Sequence, residues 1–212
     1  MEPHETTTNK TVPRDLFTVI LLWCALAGSI LFNVVYFSLG AISTHYDMMR
    51  QTISDLELLR HGWIQQVNFV VFGLSVCAFA IALRTRLQGG FGTVLLPVFH
   101  WFTGLGLILA GIFIHEPVHS PVLMFAFVSV LISFVLFAIR FAADPRWKGW
   151  ATYTVLSAVL MLLTFARFTY CHYNDYPYAG IFERLVVVVR LAWVILFIIK
   201  LLEGRRLQRQ AV

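Results

Sequence analysis

The sequence predicts an all-α integral membrane protein built from six transmembrane helices. Two properties of the chain lead to this fold class. Of its 212 residues, 59% are hydrophobic and only 13% are charged, with a mean hydropathy of +0.78, whereas a soluble domain carries about 25% charged residues. The apolar residues also fall into six continuous runs, and a helix that spans a bilayer needs a run of roughly 20.

Each apolar run is predicted to be a helix rather than a strand of a β-barrel. A transmembrane β-strand alternates apolar and polar residues, and these runs do not alternate. A helix pairs every backbone N–H and C=O within its own segment, as the hydrocarbon requires. The predicted spans are Leu16–Leu39, Trp63–Leu83, Val94–Ile114, Val122–Ala142, Trp150–Tyr170 and Leu185–Leu202.

The lysines and arginines predict the orientation of the bundle. Basic residues concentrate on the cytoplasmic side of membrane proteins, and eleven of the sixteen lie on one side of the predicted bundle. We therefore predict that both termini are cytoplasmic and that the protein resides in the plasma membrane. The eleven residues are Lys10, Arg14, Arg84, Arg86, Arg140, Arg146, Lys148, Lys200, Arg205, Arg206 and Arg209.

The chain is predicted to form one membrane domain with two polar tails. Residues 1–14 should be a disordered cytoplasmic tail, residues 15–204 the six-helix domain, and residues 205–212 a basic cytoplasmic tail. The basic tail is expected to rest against anionic lipid headgroups. Its charge alone does not indicate a nucleic-acid partner, and the oligomeric state stays open.

The first outer loop is predicted to fold into a short interfacial helix. Ser54 is followed three residues later by Glu57, which is the spacing of a capping box at a helix N-terminus. Asp55 would then occupy the first helical position, where the helix dipole favours a negative charge.

Most of the histidines and acids are predicted on the outer side, among them a candidate zinc site. The loop after helix 3 reads HEPVHS, and Pro117 interrupts a smooth helix there. His115, Glu116 and His119 can therefore converge, and imidazole and carboxylate are both zinc ligands. Their spacing matches no motif known to fix a metal, so solvated interfacial histidines are the alternative interpretation.

Two arginines are predicted inside helices 5 and 6. Arg167 and Arg190 carry charges that are costly in a membrane and usually face a bundle interior or a water-filled cavity, paired with another group. Both are therefore candidate ligand-binding residues, with Asp55, Asp175 and Glu183 as possible partners. The alternative is that both side chains extend to the outer interface.

Several motifs together resemble one family of membrane proteins. The run Tyr46–Leu74 contains ISDL, a Gly-Trp pair and an Asn-Phe pair entering helix 2, and AGIF at Ala110–Phe113 and GIFERL at Gly180–Leu185 follow in order. With these motifs the chain resembles the DUF998 family over nearly its whole length. The resemblance implies a six-helix bundle and no particular activity. The chain departs from the family pattern after helix 3, where FIHEPVH replaces an FPTDP-like loop. The polar sites that it implies are Ser54, Asp55, His119 and Arg184.

Two functions follow as hypotheses. Asp55, His119 and Arg184 lie at the outer ends of three different elements, so we predict that they meet in one outward-facing pocket. The alternative is that they are separate interfacial residues on different sides of the bundle. The favoured function is a non-enzymatic bundle whose pocket binds or senses a small amphiphile or lipid. The alternative is a metal-dependent intramembrane hydrolase, in which the candidate zinc ion activates water against a lipid-like substrate.

Overall fold

The computed structural model describes residues 12–114 and 117–210, with side chains over 16–114 and 117–203. Within these residues every regular element is helical, and two short 3-10 helices, Ser54–Leu58 and Pro145–Trp147, lie in the connections. The six long helices are α1 (Val12–Ile42), α2 (Trp63–Arg86), α3 (Leu95–Ile112), α4 (His119–Ala142), α5 (Trp150–Tyr173) and α6 (Ala179–Gln210).

All six helices are long and apolar enough to cross a membrane, which confirms the predicted fold class. The largest differences from prediction are at the two ends of α6, which begins at Ala179 rather than Leu185 and ends at Gln210 rather than Leu202. The predicted N-terminal tail lies outside the described residues up to Thr11, and residues 12–14 begin α1. Residues 205–210 of the predicted C-terminal tail continue α6, and residues 211–212 lie outside the described part of the chain.

The helices form a ring in which each packs against its neighbours in sequence and α6 packs against α1. Alternate connections lie at opposite ends of this ring. At the end where the termini lie, Arg140 Nη1 of α4 donates to the carbonyl oxygen of Phe91 in the connection between α2 and α3. At the other end, here called the distal end, the first loop contacts the start of α6 through the Gly180 N–H, which donates to the Met49 carbonyl oxygen at 3.0 Å.

The packing inside the ring is strongly aromatic. In the half near the termini, Trp193 and Phe197 of α6 pack against Phe137 of α4 with ring centroids 4.8–5.0 Å apart. In the distal half, the Phe32 ring of α1 stacks on the Phe72 ring of α2 at 4.3 Å. The outer faces of the helices carry exposed apolar side chains that suit a lipid environment, including Leu16, Trp23, Leu74, Ile112, Val135, Leu156 and Leu163.

Polar and small residues fasten neighbouring helices together. Asn68 Nδ2 of α2 donates to the Phe32 carbonyl oxygen of α1 at 3.1 Å and also to Gln65 Oε1. Between α2 and α3 the backbones approach so closely that a Cβ atom at Gly73 would lie 2.6 Å from the Gly104 carbonyl oxygen. Such contacts are how membrane helices associate, since lipid supplies no hydrophobic force between them.

Candidate ligand-binding site

The first loop folds into the 3-10 helix Ser54–Leu58, but its cap is not the predicted one. Ser54 is the first helical residue, and among the described residues its side chain bonds only the Thr52 hydroxyl. Instead, Thr52 Oγ1 accepts from the Asp55 N–H at 3.2 Å, and Asp55 Oδ2 accepts from the Thr52 N–H at 2.7 Å. The reciprocal pair is thus a capping box displaced by two residues, with Thr52 as the cap.

Two consecutive residues of α6 hold this loop against the bundle. Glu183 Oε2 accepts from the Ile53 N–H at 2.6 Å. The buried Arg184 donates through Nη1 to the carbonyl oxygens of Met48 and Gln51 at 2.9 and 3.1 Å. One side chain therefore accepts from the loop backbone and the next donates to it. We call Glu183 and Arg184 the loop clamp.

Two further residues support the loop clamp. Arg184 Nη2 donates to the hydroxyl oxygen of Tyr46, and burial raises the pKa of the Tyr46 phenol to about 12, so the hydroxyl stays neutral and accepts. At Gly180 a Cβ atom would lie 2.6 Å from the Met48 carbonyl oxygen. A glycine at this position allows the loop backbone to reach α6.

Beneath the loop, Glu57 lies next to His119. Both side chains are buried, and Glu57 Oε2 is 3.9 Å from His119 Nδ1, which is too far for a hydrogen bond. His119 Nδ1 instead bonds the Phe113 carbonyl oxygen at 2.9 Å, and neither carboxyl oxygen of Glu57 has a hydrogen-bond partner among the described residues. Burial raises the pKa of Glu57 to about 8. Burial therefore favours the neutral form of the Glu57 carboxyl group beside His119.

A cavity of about 580 Å³ lies inside the ring and is lined by side chains from all six helices and the first loop. We call it the central cavity. Its walls are mostly apolar and include Phe32, Phe69, Phe72, Leu107, Phe127, Met161, Phe165 and Val187. Its polar lining is concentrated toward the distal end, where Thr52, Ser54, Asp55, His119, Ser120, His172 and Glu183 lie. The lining reaches the distal surface at Leu58 and Tyr173, which are 60% and 80% exposed.

Arg190 lies deep in the central cavity. Because α6 begins at Ala179, this residue is about three turns into the helix, not one turn as the shorter predicted helix implied. Its guanidinium stands over the Phe72 ring at 5.1 Å. Among the described residues no carboxylate pairs with Arg190, so the predicted acidic partners Asp55, Asp175 and Glu183 do not neutralise it.

The structure brings some of the predicted site residues together and separates others. Ser54, Asp55, His119 and Arg190 line the central cavity, whereas Arg184 is outside its lining and holds the loop backbone. The predicted pocket shared by Arg184, Asp55 and His119 therefore stays a prediction. Backbone carbonyls, not a carboxylate, accept from the Arg184 guanidinium.

Arg167 and the candidate zinc ligands lie elsewhere. Arg167 is exposed on α5, with its guanidinium over the rings of Tyr170 and Phe182 and no carboxylate partner among the described residues. His115 and Glu116 lie outside the described residues, so the zinc site stays a prediction. Within the described ranges no three His, Cys, Asp or Glu side chains are grouped to hold a metal.

Sequence reasoning missed the role of Glu57 and the loop-clamp role of Glu183. The sequence predicts Glu57 as the acid of a capping box, whereas in the structure it is buried. A local signal for this burial exists, because Ile53, Leu56 and Glu57 are spaced by three and four residues and so share one face of a helix. No local signal exists for Glu183, whose partner Ile53 is 130 residues away in the chain.

The ring of six apolar helices with a polar distal end defines an integral membrane protein. The chain belongs to the DUF998 family, a family of proteins of unknown function, whose pattern it matches over residues 26–200. The resemblance found in the ISDL, AGIF and GIFERL motifs is thereby confirmed. No curated protein and no solved structure matches the chain.

Proposed function

We propose that this membrane protein binds a small amphiphile, a lipid or lipid-like molecule, in the central cavity and that it is not an enzyme. The observation that carries the proposal is the division of the cavity lining into apolar walls and a polar distal part. A ligand pocket has a volume of roughly 300–1,000 Å³, mostly apolar walls and a few polar groups that fix orientation. The volume of about 580 Å³ falls within that range.

The direction of the cavity follows from the proposed orientation. The distribution of lysines and arginines favours both termini on the cytoplasmic side of the plasma membrane. In this orientation the distal end faces outward. A ligand then enters the cavity from the distal side, past Leu58 and Tyr173, or from the bilayer. Membrane lipids are the expected partners of the exposed apolar faces of the helices.

Two neighbouring residues of α6 provide the test. Val187 lines the central cavity, whereas Val188 is 40% exposed on the outside of the bundle. Val187→Trp should fill the cavity, and Val188→Trp is the matched control that adds the same side chain to the lipid-facing surface. The full-length protein in phosphatidylcholine nanodiscs would be titrated with dodecanoate, dodecyl phosphate, dodecanol and dodecyltrimethylammonium, and bound ligand counted by native mass spectrometry.

We expect saturable binding of at least one of these probes, weakened at least about tenfold by Val187→Trp and unchanged by Val188→Trp. A factor of ten corresponds to about 1.4 kcal/mol, a loss that one bulky side chain in a ligand site readily causes. Absence of saturable binding by all four probes, or equal effects of the two tryptophans, would reject the central cavity as the binding site.

A further inference from the structure

We propose that Arg190 binds the acidic group of the amphiphile, a carboxylate or a phosphate, inside the central cavity. This inference rests on the proposed function and specifies its ligand as an anion. The site consists of a cation in an apolar chamber, with the Phe72 ring on one side of the guanidinium.

The first step is the contrast between Arg190 and Arg184 on the same helix. The Arg184 guanidinium donates to three backbone carbonyls and one hydroxyl. Arg190 makes no hydrogen bond and no ion pair with any described residue; its guanidinium lies over the Phe72 ring and interacts electrostatically with His100. The protein satisfies one arginine internally and leaves the other facing a cavity.

The second step is that the nearby acids are already engaged and too far away. Glu183 precedes Arg190 by seven residues on α6, about 10 Å along the axis at 1.5 Å per residue, and its Oε2 accepts from Ile53. Asp55 Oδ2 accepts from Thr52 in the capping box. Both acids belong to the distal part of the lining and secure the loop, so neither neutralises Arg190.

The third step is energetic. An arginine inside a membrane bundle is costly, and such residues normally pair with an anion or line a substrate path. A guanidinium presents a planar fork of N–H groups that matches a carboxylate or a phosphate with two parallel hydrogen bonds. An aromatic ring against one face leaves that fork available, and in surroundings poor in water the pairing is stronger than at a surface.

The apolar walls then accommodate the rest of the ligand. Leu107, Phe127, Met161, Phe165 and Val187 lie with Arg190 in the same lining. A hydrocarbon chain buried there is removed from water, which favours its binding. The ligand class is therefore an amphiphile with one acidic group and a hydrocarbon body, such as a fatty acid or a phosphate monoester of a lipid.

The four twelve-carbon probes test this inference separately from the proposed function. They share one chain length and differ in the headgroup, which is carboxylate, phosphate, hydroxyl or quaternary ammonium. We expect an anionic probe to bind at least about tenfold more tightly than dodecanol, and the cationic probe to bind more weakly than dodecanol. Preference for dodecanoate would indicate a fatty acid as the source of the anion, and preference for dodecyl phosphate would indicate a lipid phosphate.

Substitutions then assign the preference to the residue. Arg190→Gln should abolish the advantage of the anion over dodecanol, Arg190→Lys should keep part of it, and Arg167→Gln on the exposed face of α5 should leave it intact. Should Arg190→Gln fail to fold, the headgroup order in the wild-type protein and in Arg190→Lys still decides. Equal binding of anions and dodecanol, with Val187→Trp still weakening both, would overturn the inference and leave the proposed function standing.

Discussion

Glu57 and His119 face each other beneath the first loop, with Glu57 Oε2 3.9 Å from His119 Nδ1 and both side chains shielded from solvent. Glu57 belongs to the 3-10 helix of the loop, and His119 is the first residue of α4. The contact joins the distal loop to the opposite side of the ring. It also places an acid in an environment that disfavours its charge.

We predict that Glu57 makes the protein less stable as pH rises from about 4.5 to about 8. Its pKa is raised from 4.5 to about 8 by burial, so in this window the folded state binds more protons than the unfolded state. The free energy of unfolding then falls with pH, by at most about 1.4 kcal/mol per pH unit for one group.

The comparison of wild type with Glu57→Gln checks this prediction. The amide has a similar shape and does not ionise, so the stability of the variant should decline less with pH, and the variant should be the more stable protein at pH 8. Thermal unfolding in nanodiscs between pH 5 and 9 is the measurement. Parallel curves for the two proteins would show that Glu57 does not titrate in this window.

The loop clamp should be a large contributor to stability. Truncating Arg184 to Ala removes a buried cation and strands the carbonyls of Met48 and Gln51, and hydrogen bonds to charged groups contribute about 1.5–3 kcal/mol each. We expect a loss of at least about 3 kcal/mol, measured by unfolding in mixed micelles. Arg167→Ala on an exposed face should cost less than about 1 kcal/mol, and equal losses for the two variants would contradict the clamp.

The displaced capping box predicts different effects for two neighbouring hydroxyl residues. Thr52→Ala removes the side chain that caps the Asp55 N–H and should cost about 1 kcal/mol. Ser54→Ala should cost clearly less, because within the described part of the chain the Ser54 side chain bonds only the Thr52 hydroxyl. Hydrogen exchange at the Asp55 amide is the local measurement. Faster exchange in Ser54→Ala than in Thr52→Ala would show that Ser54, not Thr52, is the cap.

The proposed orientation can be read with single cysteines. In a Cys24→Ser background, where the two remaining cysteines are buried, Asp175→Cys at the distal end should react with a membrane-impermeant maleimide on intact cells. Gln88→Cys in the exposed connection between α2 and α3 should react only after permeabilisation. The reverse labelling pattern would show that the distal end faces the cytoplasm.

The number of helices could be predicted from the sequence because apolar run length alone decides whether a segment can cross a bilayer. The start of α6 could not be predicted in this way, because the low hydropathy of Glu183 and Arg184 interrupts the apolar run. Those two charges lie within a helix because loop backbone groups more than 100 residues away bind them. The depth of Arg190 was underestimated for the same reason.

The cap of the loop helix shows a second limit. TISD at Thr52–Asp55 and SDLE at Ser54–Glu57 both have a hydroxyl residue three positions before an acid, so the local pattern fits two capping boxes. In the structure Thr52 is the cap, Asp55 is its reciprocal partner, and Glu57 is buried beside His119. That contact with a helix 62 residues later has no signal in the local pattern.

Glu183, Arg184 and Arg190 are carried by one uninterrupted helix. A helix transmits an axial shift or a rotation along its length without loss over two turns. Any movement of α6 that follows a change at the interior cation must therefore move the anchor points of the exposed loop by the same step. The interior cation and the attachment points of the distal loop are therefore parts of one rigid element.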